Sequence, residues 1–460
     1  MPDIPSGPPW PRLGLPAAGA FPSLWRRGLP IVTATLLSRP LGYLRAAVQA
    51  WLFGATAAMD AFVVAFSVPS ILQVVLLSGP LGGVLVPILS AYRHDRQALQ
   101  RLFRGLFTLC LLAGLALAGL AALAAPLLMR AAAPGLAAET HRLAVLLFRL
   151  MLPMLVVQAL LSVCKGALNT LDHYGAPEYA GVVFNLVVIA AAVGLAPALG
   201  IVSLAVGVSA GALAQLLLQF PFLARYGLAY RPCLPFGLGL RRLRRLAQGA
   251  FLTTLLAPLG ALVDRALASL LFPGAIAALN YAFLLFMLPA SLCVVPLSTV
   301  LLTDLARTYH AGAFALLRQR ARTGLRLVLL LTVPVAAAGV LLAGPLTRLV
   351  YEYGRFQASD TLHTAQALRA YLLGLPFYGC LHLLHRCFYA LQDTMTPARV
   401  GLGAFGVNVL ADLVFMRLFS HWGIALARSL TLLASALALF VLWQRRCPAG
   451  PPLDTARTKE

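Results

Sequence analysis

Long apolar runs alternate along this chain with short connections rich in arginine, glycine and proline. An α-helix needs about 20 mostly apolar residues to cross the hydrocarbon layer of a bilayer. About twelve runs meet that requirement. In the first half they lie near 28–53, 57–79, 104–129, 142–167, 177–199 and 201–224. In the second half they lie near 248–272, 276–303, 325–347, 361–391, 398–419 and 422–444. The pattern predicts an all-α, polytopic membrane protein.

Composition fits that reading. The chain is 60% hydrophobic and only 11% charged over 460 residues, with a mean hydropathy of +0.86. A water-soluble fold of this size could not hide so much apolar surface. The formal net charge of +22 does not point to nucleic acid, because the arginines flank the apolar runs. With twelve crossings, the clusters at Arg26 and Arg27, Arg93 to Arg104, Arg225 to Arg245, Arg307 to Arg322, and Arg445 and Arg446 all fall on one side. The positive-inside rule makes that side cytoplasmic, with both termini on it and the chain in the inner membrane. Residues 1–27 read as a flexible cytoplasmic tail, 225–247 as a basic linker and 445–460 as a second tail. The seven cysteines form no CxxC pair and no Cys/His cluster.

The chain also repeats. The stretch from Arg45 (RAAVQAWLFGATAAMDAFVVAFSVPSIL) matches that from Arg265 (RALASLLFPGAIAALNYAFLLFMLPASL), an offset of 265 − 45 = 220. At that offset Gly54 meets Gly274, Asp60 meets Asn280, Pro69 meets Pro289 and Pro177 meets Pro397. Further on, GIVSLA at Gly200 aligns with GIALA at Gly423, a drift of three residues. Two six-helix units, 28–224 and 248–444, would share one orientation, because six crossings return the chain to its starting side. That is the parallel-repeat plan of secondary transporters, with a central cavity between the halves.

No enzyme signature is present: no HExxH, GxSxG or phosphate-binding loop. Charges at membrane depth are the informative residues, since each is costly without a partner or water. They include Arg39, Arg45 and Asp60 near the start, Arg149 in the fourth helix, and Arg386 in the tenth. Either they form structural pairs, Asp60 with Arg39 or Arg45 for example, or they line a polar cavity. A net-positive cavity suits a phosphorylated substrate, because guanidinium forks onto phosphate oxygens. Asn408 and Asp412 are four apart and share a helix face. With Asp264 they could bind a hard cation such as sodium, or pair with Arg265, Arg417 or Arg428. His382 and His385 read as packing residues on a polar seam. Pro153, Pro289, Pro296 and Pro376 permit kinks at midspan.

Several motifs together resemble lipid II flippases of the MurJ/MviN type. They are SRPLGYLRAAVQAWLFGATAAMDAFVVAF (38–66), GALNTLDHYGAPEYAGVVFN (166–185), TVLLTDLAR (299–307) and the run from YEYGRFQASD to ALQDTMTPA (351–398). The resemblance covers roughly 28–440. It implies two bundles around a central cavity and flipping of an undecaprenyl-pyrophosphate-linked peptidoglycan precursor from the cytoplasmic to the periplasmic leaflet. Arg39, Arg45 and Asp60 match the family's first-half charges, and Arg386 its tenth-helix arginine. Asp264, Asn408 and Asp412 resemble a sodium site of some members. The family's arginines after the second-helix proline are replaced by Gln73 and Val74, and its eighth-helix ADRL by a run containing Phe283, Leu284 and Met287. Two other activities compete: flipping of another lipid-linked saccharide, and cation-coupled export of amphipathic small molecules. A non-transporting scaffold is the third class.

Overall fold

The computed structural model describes residues 21–73, 85, 89–93, 95–230, 233 and 258–446. The expected tail up to residue 20, most of the expected basic linker, residues 74–79 and 248–257 of two expected spans, and the tail beyond 446 lie outside them. Among the described residues every regular element is a helix. The chain opens with α1 (Phe21–Phe53), α2 (Ala57–Gln73), α3 (Arg96–Ala132), α4 (Ala138–Thr170), α5 (Gly175–Leu199) and α6 (Val202–Arg225). Then come α7 (258–268), α8 (Ala275–Pro289), a π turn (Ala290–Val294), α9 (Val295–His310), α10 (Phe314–Tyr351), α11 (Ala358–Leu373), α12 (Leu375–Ala390) and α13 (Met395–Arg446). Helix α1 already includes Phe21, inside the stretch expected to be a tail.

Among the described residues, seven helices are long and apolar enough to cross a membrane, or eight if the bent pair α11–α12 is one span. The breaks have local causes. Pro289 and Pro296 bracket the π turn, where the lost N–H donors force a wider register. Gly374 and Pro376 sit at the 44° bend between α11 and α12. Helix α13 has 52 residues, about 78 Å if straight, far more than one hydrocarbon layer. It folds back at Ser420 (φ 56°, ψ −140°).

The backbone itself repeats at the offset of 220. Positive φ occurs at Gly54 and Gly274, at Asp172 and Gln392, and at Gly200 and Ser420. Gly200 has φ 55°, ψ −136°, which matches Ser420 closely. Gly200 therefore corresponds to Ser420 and not to Gly423, which corrects the three-residue drift read from the GI pairs. The turn geometry holds the register while the sequence GI slides within it. Helices α1 to α6 pack chiefly on one another, as do α8 to α13; α2 on α8 and α1 on α10 carry contacts between the halves.

The two ends of the bundle differ. At one end the turns after α1, α3, α7 and α10 tie the halves together. Arg355 N donates to Trp51 O (2.9 Å), Ala55 N to Asp360 Oδ2 (3.3 Å) and Gly135 N to Ser269 Oγ (3.0 Å). Gly274 (φ 96°) lies so close to the turn after α1 that a Cβ there would meet Ala55 O at 2.1 Å. At the other end the described hydrogen bonds stay within one half. Arg93 pairs with Asp172 (2.5 Å) and Arg104 bonds Ala229 O (3.0 Å). In the second half Arg320 pairs with Asp304 and Arg446 with Asp393.

Candidate functional site

Between the halves lies a chamber of about 270 Å³. Helices α1, α2 and α6 wall it from the first half, and α7 and α8 from the second. Its polar lining consists of Arg45, Gln49, Ser67, Ser70, Arg265 and Asn280. The rest is apolar, Phe62, Phe66 and Leu284 included, and among the described residues no carboxylate lines it. Gln49 and Ser67 are buried; the Ser67 and Ser70 hydroxyls donate to carbonyls of their own helix. A cationic, apolar-walled space lets few dipoles compete with an arriving anion, so charge–charge attraction there exceeds its value in water.

Arg45 is the predicted residue that faces this space. Its guanidinium stands 5.5 Å over the Phe184 ring, and its buried Nε has no hydrogen-bond partner. Among the described residues no carboxylate pairs with it. An unpaired buried cation is expensive, so it marks a place where a negative group is received or water enters.

The other predicted charges go elsewhere. Arg39 is exposed, and its Nη1 donates to Ser291 O (3.1 Å) in the π turn across the halves. Asp60 is 2% exposed, and its oxygens accept from Gly274 N (2.6 Å) and Ala277 N (2.7 Å). The alternative that paired it with Arg39 or Arg45 is thus replaced. Asp60 caps the first turn of α8, where free N–H groups await an acceptor. Arg149 is exposed on α4 and donates from Nε to Ala122 O (3.3 Å). Arg386 is half-buried on α12, next to His385 in sequence. Neither Arg149 nor Arg386 lines the chamber.

The three residues expected to form a cation site do converge. Asn408 Nδ2 donates to Asp264 Oδ1 (3.1 Å) and to Asp412 Oδ2 (2.6 Å). Asp412 is fully buried. Arg428 Nη1 lies 3.7 Å from Asp264 Oδ2, which realises one of the pairings read from the sequence; Arg265 and Arg417 form no such pair. Asn408 Oδ1 and Asp412 Oδ1 are buried without a partner. A second cavity, about 390 Å³, runs from Asn408 and Arg428 past His385 and Tyr389 to Thr394 in the turn before α13. The histidines behave as packing residues: His382 Nδ1 meets Ser298 Oγ at 2.8 Å, and His385 stacks on Tyr389.

Sequence reasoning counted Arg265 among the charges at membrane depth but assigned neither Arg265 nor Asn280 to the substrate-binding set. The signal was present, since they are the offset partners of Arg45 and Asp60.

With this geometry in place, likeness to known proteins becomes specific. The family model described as lipid II flippase MurJ matches residues 49–458. The lipid II flippase MurJ of Burkholderia cenocepacia is 32% identical over 443 residues, covering 92% of this chain and 84% of that protein. Among solved structures, a lipid II flippase MurJ in an inward closed conformation superposes with a TM-score of 0.80 at 26% identity, covering 90% of this chain and 87% of the other. An inward-facing multidrug MATE transporter shares the fold, with a TM-score of 0.77 at 16% identity over 91% and 98% of the two chains.

Proposed function

The chain belongs to the lipid II flippase MurJ family, and from that premise we propose that it carries lipid II from the cytoplasmic to the periplasmic leaflet of the inner membrane by alternating access. It is a transporter and not an enzyme. The observation that carries this reading is the carboxylate-free chamber between the halves, with Arg45 unpaired in its wall. The pyrophosphate of the substrate is the group that a guanidinium in such a wall recognises. An exporter of amphipathic cations needs the opposite sign in that wall.

The proposed layout is twelve crossings in two six-helix halves, 28–224 and 248–444, joined by the basic linker 225–247 and flanked by tails 1–27 and 445–460. The positive-φ pairs at one offset support it, as does the segregation of contacts. Helix α1, the second arm of α13, the bent pair α11–α12 and the short helices α2 and α7 supply the five crossings beyond the seven that length and hydropathy count. Arginines gather at the end where the described hydrogen bonds stay within one half. That end is assigned to the cytoplasm, with both termini, and the tied end to the periplasm.

The cluster at Asp264, Asn408 and Asp412 is proposed as the site of a coupling cation. Two carboxylates against the guanidinium of Arg428 leave one negative charge, and two buried oxygens there have no partner. Oxygen donors of that kind suit a sodium ion.

The test is complementation. Expression of the chain in cells depleted of their own lipid II flippase is expected to restore growth and wall synthesis. Correct insertion without rescue would remove the reading.

A further inference from the structure

The chamber has a second arginine, and its position in the chain is not arbitrary. Arg265 on α7 lines it from the second half, while Arg45 on α1 lines it from the first. The two are separated by 220 residues, the same offset that relates Gly54 to Gly274 and Gly200 to Ser420 in backbone conformation. The internal repeat therefore brings equivalent positions of two helices to opposite walls of one space.

Arg265 resembles Arg45 in its circumstances as well. Among the described residues no carboxylate lies within ion-pair distance of it, although Asp264 is its neighbour in sequence. Asp264 turns away, to Asn408 and Arg428. The Arg265 guanidinium makes a long hydrogen bond from Nη1 to Ala261 O (3.4 Å), one turn back on its own helix. A guanidinium carries five donors, so most of its capacity is unspent beside the chamber it lines. Asn280 stands beside it in the second-half wall and Gln49 beside Arg45 in the first, both as neutral donors.

We infer that Arg265 is a substrate-binding residue, and that Arg45 and Arg265 act as a two-sided clamp on the pyrophosphate of the lipid-linked substrate. This rests on the lipid II reading above. Two phosphates joined by one oxygen present acceptor oxygens in both directions, so each guanidinium can take one phosphate in forked geometry. The chamber, about 270 Å³, has room for a diphosphate and lies below the roughly 300–1,000 Å³ of sites that enclose a drug-sized ligand, so the full saccharide and peptide extend beyond it. Because the arginines come from different halves, the bound diphosphate bridges the two bodies that have to move.

Arg265 also lines a small cavity of about 70 Å³ together with Asp264, Tyr371 and Arg428. Its guanidinium thus lies between the substrate chamber and the acidic cluster, where a change of charge at Asp264 would be felt.

The test uses the full chain in proteoliposomes and in detergent, with lipid II as the transported species and undecaprenyl pyrophosphate as the binding probe. Wild-type flipping decides the lipid II reading by itself. Given wild-type flipping, R265Q is expected to bind the probe and to flip lipid II at least roughly tenfold less well, with an unchanged melting temperature. R265K, which keeps the charge but not the fork, is expected to fall between. Undecaprenyl monophosphate is expected to lose less than the diphosphate when Arg265 is replaced. A check free of substitution is arginine labelling by phenylglyoxal in the native chain: the probe should protect both Arg45 and Arg265. If R265Q flips and binds as the wild type does, or if the probe shields Arg45 and leaves Arg265 reactive, the clamp is wrong and the lipid II reading stands.

Discussion

At the residue scale the chain separates cations that have partners from cations that do not. Arg93, Arg320, Arg428 and Arg446 each face a carboxylate, whereas Arg45 faces an apolar-walled space. Replacing Arg45 with Gln is therefore expected to cut lipid II flipping by tenfold or more, roughly the worth of one charge-assisted contact, with membrane-inserted protein at the wild-type level. A matching drop in folded yield would mean that Arg45 is structural. For the cation cluster, sodium is expected to raise the melting temperature of the purified wild type and to have no effect on Asp412→Ala. An absence of sodium effect in the wild type would remove the site. Much of this was legible beforehand. Arg45 stood out as a charge inside an apolar run, and Asn408 and Asp412 by their four-residue spacing. Asp60 was harder to read, because its partners are backbone N–H groups some 214 residues away and carry no sequence signature. Arg265 was obscured by its neighbour. An adjacent Asp264 suggests a pair, yet consecutive helical residues point about 100° apart, and Asp264 spends its close contacts on Asn408 and Arg428.

At the scale of elements, the cap between α2 and α8 is the contact whose loss should be felt first. Asp60→Ala leaves two buried N–H groups at the start of α8 without acceptors, and each such loss costs about 1–3 kcal/mol. A clear fall in melting temperature is expected, smaller for Asp60→Asn, which retains one acceptor. Gly274→Ala should act at the same junction, since Gly274 has φ 96° and no room on the Ala55 side. The turn between α12 and α13 supports a prediction about pH. Burial pushes the Asp393 carboxyl up, but the bonds from Thr396 Oγ1 and Thr396 N (2.7 and 2.9 Å) and the Arg446 guanidinium outweigh it and hold it below the usual carboxylate range. A lowered native value means that this contribution is complete above the ordinary carboxylate pKa and fades as pH falls through the lower native one. Asp393→Asn should thus cost about 1 kcal/mol or less near neutral pH, given its exposed partner, and nothing in strong acid. A penalty that persisted in acid would contradict this account. The element pattern itself was readable because lipid imposes helix length. The break at Ser420 was readable as well, since the runs 398–419 and 422–444 part there; the π turn was less so, because proline marks where a helix can yield and packing decides how it does.

For the whole molecule, the decisive feature is the difference between its ends. The turns after α1, α3, α7 and α10 are fastened across the halves by backbone hydrogen bonds and close glycine contacts. The described hydrogen bonds at the arginine-rich end stay within a half. A molecule in this arrangement can release substrate on the fastened side only if those ties open. Part of this clasp lies in the run that carries the family resemblance. In the YEYGRF motif, Gly354 (φ 60°) packs against Trp51, with its Cβ position 2.5 Å from Trp51 O, so the glycine is needed for two backbones to meet. Locking the clasp should therefore arrest transport while leaving the chamber intact. In a chain whose native cysteines are replaced by serine or alanine, cysteines at Ala55 and Asp360 should form a disulfide, because the Asp360 side chain already reaches the Ala55 N–H. Oxidation is expected to abolish lipid II flipping and reduction to restore it, with binding of undecaprenyl pyrophosphate retained in both states. Flipping that continued with the disulfide fully formed would show that the fastened end never opens, and alternating access between these halves would have to be abandoned.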